Sequence, residues 1–241
     1  MKSFLNKIQF HYKRILFQKF SIPKIINDNI SKRILKKYLP KNPVIIDCGA
    51  HYGGDSIELA IMLKGEVHSF EPVKSLYKIL LSNTKNYPNI SCYNVALSDT
   101  TGKRNFYVSE GKSDASSSLM EPAEHLQDHP DTFFNTITEV DCLTLDNWAM
   151  ANNIEKIDML WLDMQGYEMK MLMKSDTILN TVTLIHTEVS LKETYKDVPQ
   201  YVVFRKFLES KGFEMLFEAI PLGCDMGNVV FHKKNNENLK N

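Results

Sequence analysis

Apolar residues along this chain fall into short runs that alternate between two spacings. Val44-Ile45-Ile46 is a continuous β-branched run that ends in Asp47. A run apolar on both faces predicts a strand buried within a parallel sheet. From Asp55 to Lys64 the spacing turns helical, with Ile57, Ala60 and Ile61, and Leu59 beside them, set to face inward. Glu66–Glu71 predicts a second strand. Pro72 then stands in the first turn of a helix, where a missing amide hydrogen costs nothing, ahead of Val73–Lys85 with Leu76, Ile79 and Leu80 on one face. Ile90–Leu97 predicts a third strand, and Thr100-Thr101-Gly102-Lys103 a turn into Arg104–Val108.

The stretch Ser109–Thr136 breaks the pattern. It is rich in serine, holds Pro122 and Pro130, and shows helical character only near Glu121–Gln127. A loop this long in a small domain is either a lid over a site or a surface excursion. Order returns with a strand at Ile137–Asp141 and a helix from Thr144 to Asn152. Asp158–Asp163 predicts the fourth central strand, Tyr167–Lys174 a helix and Leu184–Val189 the fifth strand. Tyr201–Lys211 predicts a helix ended by Gly212, and Phe213–Glu218 and Asn228–His232 two closing strands.

Strands alternating with helices predict an α/β fold: a mostly parallel sheet with helices on both faces. Right-handed crossovers place the loops that follow the strands along one edge, and a ligand belongs there, where the strand order switches. Those loops are Cys48–Gly54, Glu71, Leu97–Asp99, Asp163–Gly166 and Glu188–Ser190.

With 241 residues, 43% of them apolar, the chain suits one domain. Its formal charge of zero argues against a general nucleic-acid binder. The charge is unevenly spread, however. Residues 1–40 carry ten Lys and Arg against one acid, Asp28, with Phe4, Ile8, Phe10, Leu16 and Phe20 interleaved. This basic amphipathic segment either packs on the domain or makes peripheral contact with an anionic membrane. Residues 41–234 then form the main domain and 235–241 a polar tail. The cysteines, Cys48, Cys92, Cys142 and Cys224, form no C-x-x-C pair, and no apolar run is long enough to span a bilayer. A cytoplasmic chain, with or without membrane association, is expected.

The loop after the first strand reads Asp47-Cys48-Gly49-Ala50-His51-Tyr52-Gly53. It lacks the Gly-x-Gly-x-x-Gly spacing that brings a backbone against a pyrophosphate. This points to an adenosyl ligand without phosphates, of which S-adenosylmethionine is the commonest, and away from a nicotinamide-dependent oxidoreductase. Gly49 and Gly53 would let the ligand's methionine portion lie against the backbone, with Ala50 and His51 between them. Asp47 either orients that loop for a cationic ligand or caps loop amides. Glu71, 24 residues on and followed by Pro72, is placed to accept from two ribose hydroxyls or to sit at a helix N-terminus. Ala96, Leu97 and Ser98, with Asp99, would flank an adenine ring or form a plain turn.

Asp163 ends the fourth strand, where it can serve as general base, orient a ligand's amine, ligate a metal or cap the next helix. His186 and Glu188 share one face of the fifth strand. His186 is either a base or a core histidine. These three are the candidate catalytic residues, and no metal site is assigned to them.

The stretches Ile46–Gly53, Ser69-Phe70-Glu71-Pro72, Asn94–Asp99, Thr144-Leu145-Asp146, Asp163-Met164-Gln165-Gly166-Tyr167-Glu168 and His186-Thr187-Glu188-Val189 together resemble the FkbM family of methyltransferases, from about Val44 to about Lys233. That family often has asparagine where His51 stands and glutamate where Gln165 stands. The resemblance implies a class I methyltransferase (Rossmann-like) fold with a seven-stranded sheet. It also implies S-adenosylmethionine as methyl donor and transfer to a hydroxyl. The acceptor by this analogy is a saccharide, a glycolipid or a secondary metabolite. A non-catalytic scaffold that has kept the adenosyl site is the competing reading.

Overall fold

The computed structural model describes residues 30–123, 130–221 and 224–234. The first predicted strand forms as β1 (Val44–Cys48) and lies inside a seven-stranded sheet. β2 (Glu66–Phe70) and β3 (Ile90–Tyr93) extend the sheet to one side of it. β7 (Met159–Leu162) and β8 (Leu184–Ser190) extend it to the other, and all these pairs are parallel. β9 (Phe213–Ala219) and β10 (Met226–Lys233) close the order as β3-β2-β1-β7-β8-β10-β9, with β10 antiparallel to both its neighbours. The strand order reverses between β1 and β7, and this opens the crevice that an α/β sheet offers a ligand.

Alternate residues of each strand feed two cores, as a period of two requires. Ile46, Cys48, Phe70, Leu160 and Leu162 face one core. It is covered by α4 (Leu145–Ala151), α5 (Glu168–Leu172), α6 (Asp176–Leu179) and α7 (Tyr201–Ser210). Ile45, Val67, Met159, Trp161 and Leu184 face the other, under α2 (Gly54–Leu63). The remaining long helix, α3 (Lys74–Thr84), sends its buried Leu80 toward the first turn of α2. In α2 the buried apolar residues are Ile57, Leu59, Ala60 and Leu63. Ile61, expected to face inward, stands 37% exposed.

The predicted third strand is broken. Asn94 and Val95 interrupt it, and β4 (Ala96–Leu97) leaves to join a second, three-stranded sheet with β5 (Gly102–Gly111) and β6 (Thr132–Leu143). The amide of Asn94 holds the break by donating to the carbonyls of Glu71 and Pro72, both at 2.9 Å. β5 and β6 form one long antiparallel hairpin, so strand structure reaches well into the stretch expected to be irregular. The irregular part shrinks to 112–131. Within it Glu121 and Ala123 are not helical and Pro122 bridges to Tyr195, while 124–127 of the expected helix lie outside the described residues.

At the start of the described chain, α1 (Lys32–Leu35) buries Leu35 completely, with Ile30, Tyr38 and Leu39 packed around the same core. The boundary expected at residue 40 therefore cuts through packed structure. The rest of the basic segment, 1–29, and the tail 235–241 lie outside the described residues. Among the described residues no helix is long and apolar enough to cross a membrane.

Candidate functional site

Above the carboxyl ends of β1, β2 and β7 lies a cleft enclosing about 640 Å³ of open space. Its floor is the loop after β1, and its sides come from Glu71, β4, the 112–120 stretch and the loop after β7. Three lining residues are carboxylic acids, Glu71, Asp114 and Asp163. One is a histidine, His51, and none of the described lining residues is Lys or Arg.

The floor is shaped by Gly49, whose φ is +84°. A Cβ there would lie 1.9 Å from the carbonyl oxygen of Asp163, so no other residue lets β1 and β7 close to this distance. The amides of Gly49 and Ala50 both donate to Phe70 O, at 3.1 and 2.9 Å. They are thus spent on β2, and the loop offers a ligand close approach rather than free N–H groups. Ala50 and Gly53, expected to touch the ligand, do not line the cleft. A Cβ on Gly53 would sit 2.7 Å from Leu80, which makes this glycine a spacer between the two helices.

Glu71 is buried and lines the cleft. Its Oε1 accepts from Val73 N–H at 2.7 Å and its Oε2 from His51 N–H at 3.0 Å, tying the start of α3 to the glycine loop. Both readings of Glu71 therefore meet in one side chain, because each carboxylate oxygen keeps a second lone pair for a ligand. Burial raises its pKa to about 7, against the pull of those two amides and of His51. Across the cleft, Asp114 faces the Nε2 of His51 at 3.2 Å and accepts from Tyr52 OH. His51 is chief among the partners that hold the Asp114 pKa near 2.

Ala96 and Leu97 line the apolar side with Leu76, Val95, Phe106 and Pro72. Ser98 does not line the cleft. β4 pairs with β6, so Ser98 is drawn into the second sheet, its N–H on Leu143 O and its hydroxyl on Asp99. Asp99 in turn is held by Arg104 at 2.7 Å and by Tyr167 OH at 2.6 Å. The Asp99 carboxylate is thus engaged in a salt bridge rather than free.

Asp163 lines the cleft, and burial raises its pKa to about 6. Gln165 Nε2 donates to Asp163 Oδ1 at 2.7 Å and to Glu188 Oε2 at 3.0 Å, while Gln165 Oε1 faces Tyr195 OH at 3.1 Å. Asp163 and Glu188 are thus brought together by an amide. His186 is not. Its ring stacks on Trp161 at 3.5 Å and 2° inside the second core, and burial lowers its pKa to about 3. It lines no described cavity, and so weak a base suits a core histidine rather than a proton acceptor. Asp47 also points away from the cleft. It accepts from Ser56 Oγ, which itself accepts from Ser69 Oγ at 2.8 Å, and burial raises its pKa to about 7. It therefore holds α2 to β1 behind the floor. Among the described residues no group of three His, Cys, Asp or Glu is placed to hold a metal ion.

Leu76, Phe106, Asp114, Leu119 and Tyr167 line the cleft without having been singled out. For Asp114 and Leu119 no local signal existed, because a loop's return to the site is a tertiary event. Tyr167 lay within a recognised stretch, directly after the Gln165-Gly166 turn.

The model of the methyltransferase FkbM domain matches residues 47–215. The 2-O-methyltransferase NoeI of Sinorhizobium fredii (strain NBRC 101917 / NGR234) is 28% identical over 173 residues, 69% of this chain and 71% of that protein. Among solved structures, the Methanococcus jannaschii fibrillarin pre-rRNA processing protein is 16% identical with a TM-score of 0.49, over 82% of this chain and 69% of that one. The magnesium protoporphyrin IX methyltransferase (ChlM) of Synechocystis PCC 6803, with bound SAM, is 12% identical with a TM-score of 0.49, over 84% and 74%.

Proposed function

The chain belongs to the FkbM methyltransferase family, and from that premise we propose that its cleft binds S-adenosylmethionine and that the enzyme methylates a hydroxyl of a saccharide, glycolipid or secondary metabolite. The observation that carries this is the charge of the cleft: three carboxylic acids and no Lys or Arg among its described lining residues. Such a wall suits a ligand bearing a sulfonium and an ammonium. It does not suit the pyrophosphate of a nicotinamide dinucleotide, which needs free amides or cations. The 2-O-methyltransferase named above supports oxygen as the accepting atom.

S-adenosylmethionine supplies an electrophilic methyl carbon. The residues of this chain divide the remaining work. Glu71 accepts from the ribose hydroxyls with the lone pairs its two amides leave free. Leu76, Val95, Ala96, Leu97 and Phe106 give the adenine an apolar slot, flanked by Pro72. The backbone at Gly49 allows close approach, and His51 with Asp114 closes the far side. Asp163 takes the acceptor's proton. A carboxylate poised at about 6 is ionised at neutral pH and still basic enough to help. Glu188, on the same Gln165 amide, is the second acid in reach. The acidic character of the wall's described lining residues also speaks against a nucleic-acid acceptor. The four cysteines are free thiols, which supports a cytoplasmic setting. Peripheral membrane contact through residues 1–40 remains part of the proposal. It predicts that liposomes of anionic lipid sediment the full chain and not residues 30–241, a truncation that keeps the packed Leu35.

Calorimetric titration tests the donor. S-adenosylmethionine and S-adenosylhomocysteine should bind and NAD should not. Glu71→Gln, which keeps the side chain's size, should weaken both adenosyl ligands by ~10-fold or more. NAD binding alone would overturn the proposal, and binding of both adenosyl ligands with no methyl transfer to any hydroxyl would favour the scaffold reading.

A further inference from the structure

Beyond the loop after β7 lies a second pocket, partly open to solvent. Met164 lines the first cleft, and the next two residues, Gln165 and Gly166, line the second. One loop is therefore the wall between them, and its backbone is under constraint. Gln165 is not a glycine, yet it has φ +53°, a conformation that non-glycine residues rarely adopt. A Cβ on Gly166 would lie 2.9 Å from Val198. Strain held in place at a cavity wall points to a site.

The Gln165 amide shows what kind of site. Its nitrogen serves Asp163 in the first cleft and Glu188 in the second, and its oxygen faces Tyr195 OH. The same Tyr195 hydroxyl donates to Ser116 O at 2.7 Å, and Ser118 Oγ donates to Gln165 O at 2.9 Å. The 112–120 stretch is thereby latched onto the wall between the two cavities.

The rest of the second cavity is lined by hydroxyl-bearing and aromatic side chains. Ser190 and Thr194 stand beside Tyr195, Tyr201 and Phe204. Its ionisable lining groups are the acids Glu168 and Glu188 and the two tyrosines, with no Lys, Arg or His among the described residues. Glu168 is committed to the wall, where its Oε1 accepts from Met164 N–H at 2.8 Å. A phosphate or carboxylate would be repelled here. A neutral ring with hydroxyls at its rim and apolar faces would be stacked by the aromatics and hydrogen-bonded by Glu188.

We propose that this second cavity is the acceptor subsite, that it takes a neutral pyranose, and that Gln165 positions Asp163 and Glu188 at the hydroxyl passing into the donor cleft. This rests on the methyl-transfer reading given above. The hydroxyl oxygen forms the new O–C bond as the methyl carbon's bond to sulfur breaks. The bonding pair stays on sulfur, giving the neutral thioether, and the hydroxyl proton goes to the carboxylate of Asp163.

The test uses the full chain and two variants of the second cavity, Met226→Trp, which fills it, and Glu188→Gln. S-adenosylhomocysteine binding is measured by calorimetry. Transfer of labelled methyl from S-adenosylmethionine is measured to a panel of methyl pyranosides, to phenol and to a phosphorylated pyranose. Wild type should methylate at least one neutral pyranoside. Met226→Trp should lower kcat/KM for it by ~100-fold, and Glu188→Gln should raise its KM by ~10-fold, with S-adenosylhomocysteine affinity held within ~3-fold in both. Wild-type transfer rates in both variants overturn the subsite. Methylation of phenol or of the phosphorylated sugar, with no neutral pyranoside accepted, overturns the acceptor class, as does donor binding with no acceptor methylated. Failure of wild type to bind S-adenosylhomocysteine would instead overturn the donor reading and the subsite with it. Should Met226→Trp not fold, Glu188→Gln carries the same comparison.

Discussion

Two loops leave neighbouring strands of one sheet, and both turn through left-handed backbone. After β1 the chain does so at Gly49, His51 and Gly53; after β7 it does so at Gln165 and Gly166. The first loop is enforced by exclusion. There is no room for a side chain at Gly49, because the carbonyl of Asp163 lies where a Cβ would be. The second is enforced by attachment. Gln165 holds its conformation because both ends of its amide are engaged and its carbonyl is tied to Ser118. A backbone can thus be bent at a site by forbidding atoms or by bonding them. Exclusion leaves a glycine behind to be read, as at Gly49; attachment, as at Gln165, does not.

The exclusion loop should be the less forgiving of the two. Gly49→Ala adds a clash with backbone to a disfavoured φ, and it should cost on the order of 3 kcal/mol or more. Denaturant unfolding would show this, with loss of S-adenosylhomocysteine binding in the same sample. A variant within ~0.5 kcal/mol of wild type would mean the two strands are free to part.

The attachment loop should fail differently. Gln165→Ala keeps the strained φ and loses the network, so turnover should fall ~10- to 100-fold with donor affinity little changed. Gln165→Gly loses the network and the strain together. It should be the more stable of the two by about 1 kcal/mol, and no more active. Equal stabilities would show that φ at this position carries no cost.

The acids beside the two loops should respond more gently, through pH. Burial raises Glu71 to about 7 and Asp163 to about 6, above the ~4 of an unfolded chain. The folded state then holds protons that the unfolded state has released, so stability should fall as pH rises from ~4 toward 7. Asp114, held near 2, acts in the opposite sense, but only below ~4, as its stabilisation is lost on acidification. A cationic donor favours the ionised carboxylates, so it should bind with proton release and gain ~3- to 10-fold in affinity between pH 5.5 and 8. Titrations in buffers of differing ionisation heat would read that release. Affinity independent of pH would mean that neither acid faces the sulfonium or the ammonium.

The parts of the fold legible beforehand were those where one local rule acts alone. The β-branched run at Val44–Ile46 and the helical spacing that follows it could mean little else. So could Glu71-Pro72, where strand end and helix start coincide. The second sheet was mostly hidden, since β6 alternates partly buried with exposed polar residues and Phe133 and Ile137 face solvent. The break at Asn94 depends on two carbonyls more than twenty residues away. For His186 the strand was plain but the face was not: its neighbour across the sheet, Trp161, decides that it is core. Asp47 was misplaced for a similar reason, because Ser56, nine residues on in the first turn of α2, claims its carboxylate.

Trp161 also has an optical consequence. The chain has two tryptophans, and both are buried. Trp161 has the imidazole of His186 stacked against it and the ammonium of Lys32 over its ring at 4.3 Å, an ammonium anchored by Asp55 and Glu58. The excited state of an indole is polarisable, so its emission colour follows the charge beside it. Trp148 lies elsewhere, edge-on to Phe70 and Tyr93 in the core beneath the donor cleft. The molecule therefore carries two internal lamps, one reporting whether Lys32 is seated on the back of the sheet and the other the state of the cleft floor.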